Sequence, residues 1–421
     1  MAGANGSSRW TDTLLDRMQN TGDEFADKAV RAVFKAGGVD AVNAIMRTLV
    51  RNDQPVPEAL PAEIRDYLTE SVALPEWADM GKIKLGQQLY ETWGVLITLC
   101  LFCASLPASY AAADGVKVLY LTARLDTDAR QRVMETGQFL IDVLTVGGLD
   151  DEHGKGRRTI QRVRLMHAAV RHLIMARNDQ GAPPVCGDEP PLWHKDWGTP
   201  INREDLAGTR LAFSYIVADS LPRLGVRLPA TAVDAYLHLW DVIGHLMGVD
   251  DELRVHGKAD AKALVDAIRD RRFKASPEGK DMTKALLDLM DEMTPFHSFQ
   301  ETIPPLIRHL IGDDIADMID VPKSKLPELG RLTRLNKWFF VHIFGQSHRD
   351  TPRYELASRI ARPFGYDLVH GLFRLERGGR GAVRHARSPR PQLGAVGVIS
   401  RIPLVQDHEA DSGSRTLGMS F

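Results

Sequence analysis

Cysteine is scarce in this chain, since only three occur among 421 residues: Cys100, Cys103 and Cys186. Three thiols cannot build the disulfide framework of a small secreted domain, and they suit a reducing compartment. The opening residues, MAGANGSSRWTDTLLDRMQ, lack the basic flank and the apolar run of a secretory signal peptide. We therefore expect a cytoplasmic protein.

An excess of either charge is also missing. Lysine and arginine total 53, aspartate and glutamate total 55, and the formal net charge is -2. This balance gives no electrostatic reason to expect nucleic acid or an anionic membrane as a partner. The motif Glu-x-x-His does not occur anywhere in the chain, which argues against a di-iron carboxylate helical bundle.

Alternating strand patterns and internal repeats are absent, and helical periodicity dominates, so the sequence predicts an all-α fold. Residues 1–61 read as an N-terminal helical extension, broken at Gly37–Gly38 and followed by a proline-rich linker. Residues 62–373 read as one large helical domain. Residues 374–421 are rich in arginine, glycine and proline, and we predict a basic, disordered tail.

The longest apolar run, WGVLITLCLFCASLPASYAAA over residues 93–113, has the length that a bilayer span needs. Polar residues and a proline interrupt its second half, which favours a buried core helix over membrane contact. Cys100 and Cys103 form a C-x-x-C motif, but Ala104 follows where c-type haem attachment requires histidine. These thiols are expected to pack in the core.

One helical stretch, RRTIQRVRLMHAAVRHLIMAR over residues 157–177, places His167 within an apolar register. Arg164 lies three residues before His167 and Arg171 four after it, so both guanidinium groups lie near the imidazole. This pattern suits a buried ligand to haem iron with anionic groups nearby. The alternative from these residues alone is a core histidine satisfied by hydrogen bonds.

Three further groups are candidates for the same site. Arg132 and Thr136 lie four apart on a helix predicted over residues 127–144, which would form a hairpin with the His167 helix. A proline-rich loop follows residue 177, and its Trp193, His194 and Trp197 could line a lid. A later helix carries two histidines seven residues apart, which could hold a cofactor or stabilise the core: His238 and His245.

The order and spacing of four motifs resemble one family. RxxxT (132–136) is followed by RLMHAAVR, GTPIN-RED-L and AYLHLW…GHLMGV, and PPLIRHLIGDDIADMIDVP fits as well. Over about residues 80–345 the chain is similar to the oxygenases that include the bacterial latex clearing proteins and fungal enzymes of the MpaB type. The resemblance implies a helical fold with a globin-like core that holds one haem b.

The resemblance also implies roles for single residues. His167 matches the family's proximal iron ligand, and Arg164 matches the arginine one turn before it. Arg132 and Thr136 match the arginine and threonine next to the haem, while His238 and His245 match further family histidines.

Two departures from the family pattern concern catalysis. Rubber oxygenases have a lysine directly before the threonine, where this chain has Glu135. They also use an upstream glutamate as a base, yet no glutamate occurs between Glu91 and Glu135. Glu135 is therefore a hypothetical acid or base near dioxygen.

The sequence thus predicts a haem b-dependent oxygenase that acts with O2 on a hydrophobic, isoprenoid-like olefin, small molecule or polymer, by cleavage of a carbon–carbon double bond. The alternative is a non-catalytic haem-binding or membrane-associated protein of the same fold. The catalytic candidates are Arg132, Glu135 and Thr136. The cofactor-binding candidates are Arg164, His167, Arg171, His238 and His245, with His167 as the iron ligand.

Overall fold

The computed structural model of the chain describes residues 9–48, 60–122, 129–150, 154–179, 193–293 and 303–323. Within these ranges the regular elements are helices, and Ala112 and Phe273 form an isolated β-bridge. The α-helices are α1 (Asp12–Gln19), α2 (Glu24–Thr48), α3 (Ala62–Glu70), α4 (Met80–Cys100), α5 (Leu106–Tyr110), α6 (Gly115–Thr122), α7 (Ala129–Leu144), α8 (Lys155–Asp179), α9 (Arg203–Leu211), α10 (Val217–Arg223), α11 (Ala230–Leu246), α12 (Lys258–Arg272), α13 (Pro277–Met293), α14 (Ile303–Ile311) and α15 (Asp313–Met318). The predicted all-α fold is confirmed.

The apolar run lies at the centre of the molecule, as predicted for a core helix. It begins earlier than expected, at Met80, and a π-helical turn over Leu101–Ser105 joins α4 to α5. By length and composition Met80–Tyr110 could cross a membrane, with a mean hydropathy of 1.6, but 67% of its apolar window is buried inside the protein. Core helices share this composition.

Helix α4 packs on α11 at a glycine. A Cβ atom on Gly86 would lie 3.0 Å from the Ala235 carbonyl oxygen and 3.0 Å from the Leu239 side chain. The two backbones therefore approach as closely as they do because position 86 has no side chain.

The N-terminal segment packs on the body of the protein. Helix α2 has the predicted break, since Gly37 and Gly38 leave helical geometry and Gly38 has φ 61°. A second interruption, between α1 and α2, was not predicted. Buried residues of both helices contribute to apolar clusters shared with later elements: Leu15 and Met18 with α9, and Ala29 and Val33 with α8.

The stretch 302–320 contains two short helices separated by a glycine. Gly312 has φ 86° and separates α14 from α15, because a left-handed residue ends a right-handed helix. The rest of the predicted helical domain from residue 324, the predicted tail from residue 374 and Cys186 lie outside the described residues.

Candidate functional site

Helix α8 has two different sides. Leu165, Ala168 and Leu173 pack against α2 and α3. His167 shares the other side with Val163, Val170 and Ile174, because the spacings of four, three and four residues stack side chains along one helix face.

The imidazole of His167 is half-buried and uncharged. Its Nδ1 atom is buried and has no hydrogen-bond partner among the described residues. Burial lowers the pKa of His167 to about 4, the nearby Arg171 charge lowers it further, and Asp23 opposes the shift. The neutral imidazole is the form that ligates metals.

Arg164 ties α8 to two other parts of the chain. Its Nε and Nη2 atoms donate to both carboxylate oxygens of Asp23 at 2.5 and 2.9 Å, and Nη1 donates to the Leu246 carbonyl at 3.2 Å. Gly248 closes over this pair with φ 90°, and a Cβ there would lie 2.6 Å from Asp23 Oδ2. The geometry is a bidentate, buried ion pair.

Arg171 makes an equivalent set of contacts two turns further along α8. Nη1 donates to Asp27, while Nε and Nη2 donate to the carbonyls of Pro200 and Ile201 at 2.9 and 2.8 Å. The guanidinium groups predicted to meet an anionic cofactor group are therefore matched by protein carboxylates and carbonyls. In this structure, Arg164 and Arg171 hold the His167 helix in place.

Helix α7 presents Arg132, Glu135 and Thr136 on one half-buried face. Arg132 Nη1 donates to the Leu119 carbonyl of α6 at 3.2 Å. The Arg132 charge also opposes the burial that raises the pKa of Tyr110 to about 12. These contacts fix the start of α7 beside α6.

The predicted pairing of α7 with α8 is present. It is anchored at the buried carboxylate of Asp142, which accepts from Thr159 Oγ1 at 2.9 Å and pairs with Lys155 at 2.7 Å. Helices α6, α7 and α8 therefore form a connected unit that carries His167 and the α7 candidates.

The segment 193–201 covers part of the His167 side of α8. Trp193 is buried against Val170 and Ile174 together with Val118 of α6. The Asn178 side chain holds the Trp193 backbone through two hydrogen bonds, at 2.6 and 3.0 Å. Of the predicted lid residues, Trp193 and Trp197 stack edge to face with centroids 5.2 Å apart, whereas the His194 side chain is 58% exposed.

His238 and His245 meet around an indole that the sequence did not single out. Their rings lie edge-on to Trp77 at 5.7 and 5.8 Å. His238 Nε2 accepts from the Asp79 backbone N–H at 2.9 Å, and His245 Nδ1 lies 2.8 Å from the Asp251 carboxylate. These contacts join the start of α4 to α11, so a cofactor-binding role for either histidine stays a prediction.

Comparisons with known proteins agree on one family. The family model described as the catalytic domain of ER-bound oxygenase mpaB/B'/rubber oxygenase matches residues 88–341. The rubber oxygenase of Streptomyces sp. strain K30 is 30% identical over 315 residues, which cover 74% of this chain and 72% of that protein.

The chain belongs to this oxygenase family. A solved structure of latex clearing protein in the closed state has the same fold, with a TM-score of 0.59 and 23% identity over 91% of this chain and 90% of that one. The matched region contains the candidates from Arg132 to His245, whereas Asp23, Asp27 and Trp77 lie before it.

The site residues that sequence reasoning missed are the partners of the predicted ones. Asp23 is 141 residues from Arg164, and Asp27 is 144 residues from Arg171. Two acidic residues four apart at the start of a helix are also what the helix dipole favours. The sequence alone therefore gave no reason to expect that they pair with arginines of α8.

Proposed function

We propose that the protein is a haem b-dependent oxygenase in which His167 is the protein ligand of the iron. The observation that carries this proposal is the neutral imidazole of His167, whose buried Nδ1 atom has no hydrogen-bond partner among the described residues, in a chain of the rubber oxygenase family. Haem iron, when bound through one imidazole, supplies the capacity to activate dioxygen.

The residues around His167 fit such a group. Haem iron needs only one side-chain ligand, because the porphyrin supplies the other four nitrogen ligands. The described parts of the chain contain no cluster of three His, Cys, Asp or Glu residues that could hold a metal ion by themselves. Val163, Val170 and Ile174 share the side of α8 that carries His167, and these apolar side chains suit a porphyrin face. Arg132 and Thr136 are the donors that we assign to the polar edge of the site.

The substrate that we propose is a hydrophobic olefin of isoprenoid type, small or polymeric, with O2 as co-substrate. The relative from Streptomyces is named a rubber oxygenase. Val118, Val170 and Trp193 form a buried apolar cluster on the side of α8 that carries His167, which would exclude water from the site. The reaction is oxidative cleavage of a carbon–carbon double bond to carbonyl products.

The chain's own residues have distinct tasks in this proposal. His167 orients the group that it ligates. The apolar cluster of Val118, Val170 and Trp193 keeps water away from the olefin. Glu135, which stands where rubber oxygenases have lysine, lies on the same α7 face as Arg132 and holds or transfers a proton near the reacting olefin.

The test is oxygen consumption with an isoprenoid olefin, either squalene or emulsified polyisoprene, together with detection of carbonyl products. The wild-type protein and a His256→Ala control, altered at an exposed position, are expected to turn over. His167→Ala is expected to lose at least about a hundredfold in rate, since it removes the ligand. Haem binding without olefin-dependent oxygen uptake would instead favour a non-catalytic haem protein.

A further inference from the structure

Two carboxylates of the N-terminal arm, defined as residues 9–48, reach the helix that carries His167. Asp23 precedes α2 and Asp27 lies in its first turn. Asp23 pairs with Arg164 and Asp27 pairs with Arg171, on opposite sides of His167 along the sequence.

All four charged side chains are withdrawn from solvent. Asp23 and Arg171 are each 5% exposed, while Arg164 and Asp27 are each 14% exposed. A buried guanidinium that lost its carboxylate would be an uncompensated charge, which is strongly unfavourable in a low-dielectric interior. The two pairs therefore depend on the arm being in place.

The arm is itself fixed beside the same site. Backbone N–H groups of Thr199 and Arg203 donate to the carbonyls of Gln19 and Thr21, each at 3.0 Å. Arg171 donates to the carbonyls of Pro200 and Ile201 in this same stretch. The arm, the segment 199–203 and α8 are thus connected through one hydrogen-bonded assembly.

The spacing of the two arginines determines what these pairs do to His167. Arg164 and Arg171 are seven residues apart, so they leave α8 on the same side, two turns apart. His167 lies between these two attachment points. Pinning a helix at both points fixes its rotation and its shift along the axis, and with them the direction of the imidazole.

We propose that Asp23 and Asp27 are positioning residues of the His167 site, and that the N-terminal arm, outside the matched catalytic-domain region, is a working part of this site. The carboxylates orient the imidazole through Arg164 and Arg171, and they offset two positive charges that would otherwise lie unbalanced beside it. This inference rests on the proposed haem function for the identity of the ligand.

The test compares full-length Asp23→Asn and Asp27→Asn with wild type by titration with haemin. Each variant is expected to bind haemin about tenfold more weakly, or worse, as removal of outer partners of metal ligands typically does. The reduction potential of the bound haem is expected to become more positive, since a negative charge near the site has been removed. A variant that is only less stably folded would have a lower melting temperature. The reduction potential of the haem in its folded, haem-bound fraction would equal that of wild type.

Two further variants separate positioning from general damage. Asp16→Asn is the matched control, because Asp16 lies in the same arm but pairs at 2.6 Å with Arg271 and is 64% exposed. It is expected to match wild type. Asp23→Asn combined with Arg164→Gln removes the unpaired cation as well as the tie to α8. Its reduction potential is therefore expected to return towards that of wild type, while its haemin affinity stays as low as that of Asp23→Asn.

Hydrogen exchange of the haem-free chain tests the positioning role without depending on whether the protein binds haem. Asp23→Asn and Asp27→Asn are expected to speed amide exchange in α8 around His167, whereas Asp16→Asn does not. A wild-type chain that takes up no haemin overturns the haem proposal, and exchange then decides the positioning role. Equal haemin affinity and potential in wild type, Asp23→Asn and Asp27→Asn would overturn the inference, as would unchanged exchange.

Discussion

Burial and charge act together on His167. The protein interior disfavours the imidazolium form, and the Arg171 charge adds to that effect, so the ring stays neutral at physiological pH. Asp23 and Asp27 compensate the two guanidinium groups beside it. The residue is therefore available as a ligand, although it is surrounded by charges that could have repelled a metal.

Gly248 is the residue whose replacement tests this arrangement most locally. An alanine there must adopt φ 90° with its Cβ 2.6 Å from Asp23 Oδ2 and 3.0 Å from Arg164 Nε. We expect Gly248→Ala to lower the free energy of unfolding by about 1–3 kcal/mol. Urea denaturation of the haem-free protein measures this change.

Gly208→Ala is the control for that substitution. Gly208 lies inside α9, and a Cβ there would meet only the Ile268 side chain at 3.6 Å, an ordinary contact. This variant is expected to be unchanged or more stable by up to about 1 kcal/mol, because alanine favours the helix. A Gly248→Ala protein as stable as Gly208→Ala would contradict the close packing over Asp23.

His238 makes stability depend on pH. Burial lowers the pKa of His238, the Lys82 and Arg254 charges lower it further, and Asp79 opposes them. The unfolded chain, in which the pKa of histidine is about 6.5, therefore binds a proton at His238 more readily than the folded chain does. The contribution of His238 to stability is present above this pKa and is lost as the pH falls below it. Protonation would also remove the Nε2 acceptor of the Asp79 N–H.

Urea midpoints between about pH 7.5 and about pH 5.5 test this dependence. The His238→Gln variant is expected to lose less stability over that interval than wild type. His256→Gln, at an exposed position, should keep the wild-type dependence. Parallel curves for wild type and His238→Gln would show that His238 does not contribute.

At the scale of elements, the contact of α4 with α11 organises the core. Because a Cβ on Gly86 would press on the Ala235 carbonyl and on Leu239, Gly86→Ala must separate the two helices. We expect a loss of about 1–3 kcal/mol in unfolding free energy, as for other overpacked cores. Thermal unfolding next to Gly208→Ala measures it, and equal melting temperatures would contradict the close approach.

Sequence periodicity predicted most elements but not their irregularities. The break at Gly37–Gly38 was predictable, because two adjacent glycines disfavour helical geometry and are a common sign of a turn. The π-helical turns over Leu101–Ser105 and Ala212–Ile216 were not, since neither contains glycine and both depend on their mutual packing. Ser105 Oγ donates to the Ala212 carbonyl at 2.6 Å, where the two turns meet.

At the scale of the whole molecule, the site combines distant parts of the chain. The His167 helix was predictable, because a histidine between apolar residues and arginines is visible locally. The partners of those arginines were not, since Asp23 and Asp27 lie at the start of α2, more than a hundred residues away in the sequence. The same reason hid Trp77, whose ring joins His238 to His245 only in the folded chain.

The most direct test of the central claim is the absorption spectrum of the purified full-length protein, with a pyridine haemochrome assay for stoichiometry. We predict a Soret band and about one haem b per chain in wild type, and the loss of both in His167→Ala. A wild-type protein that stays colourless after addition of haemin, or a His167→Ala variant with full haem occupancy, would contradict the assignment of His167 as the iron ligand.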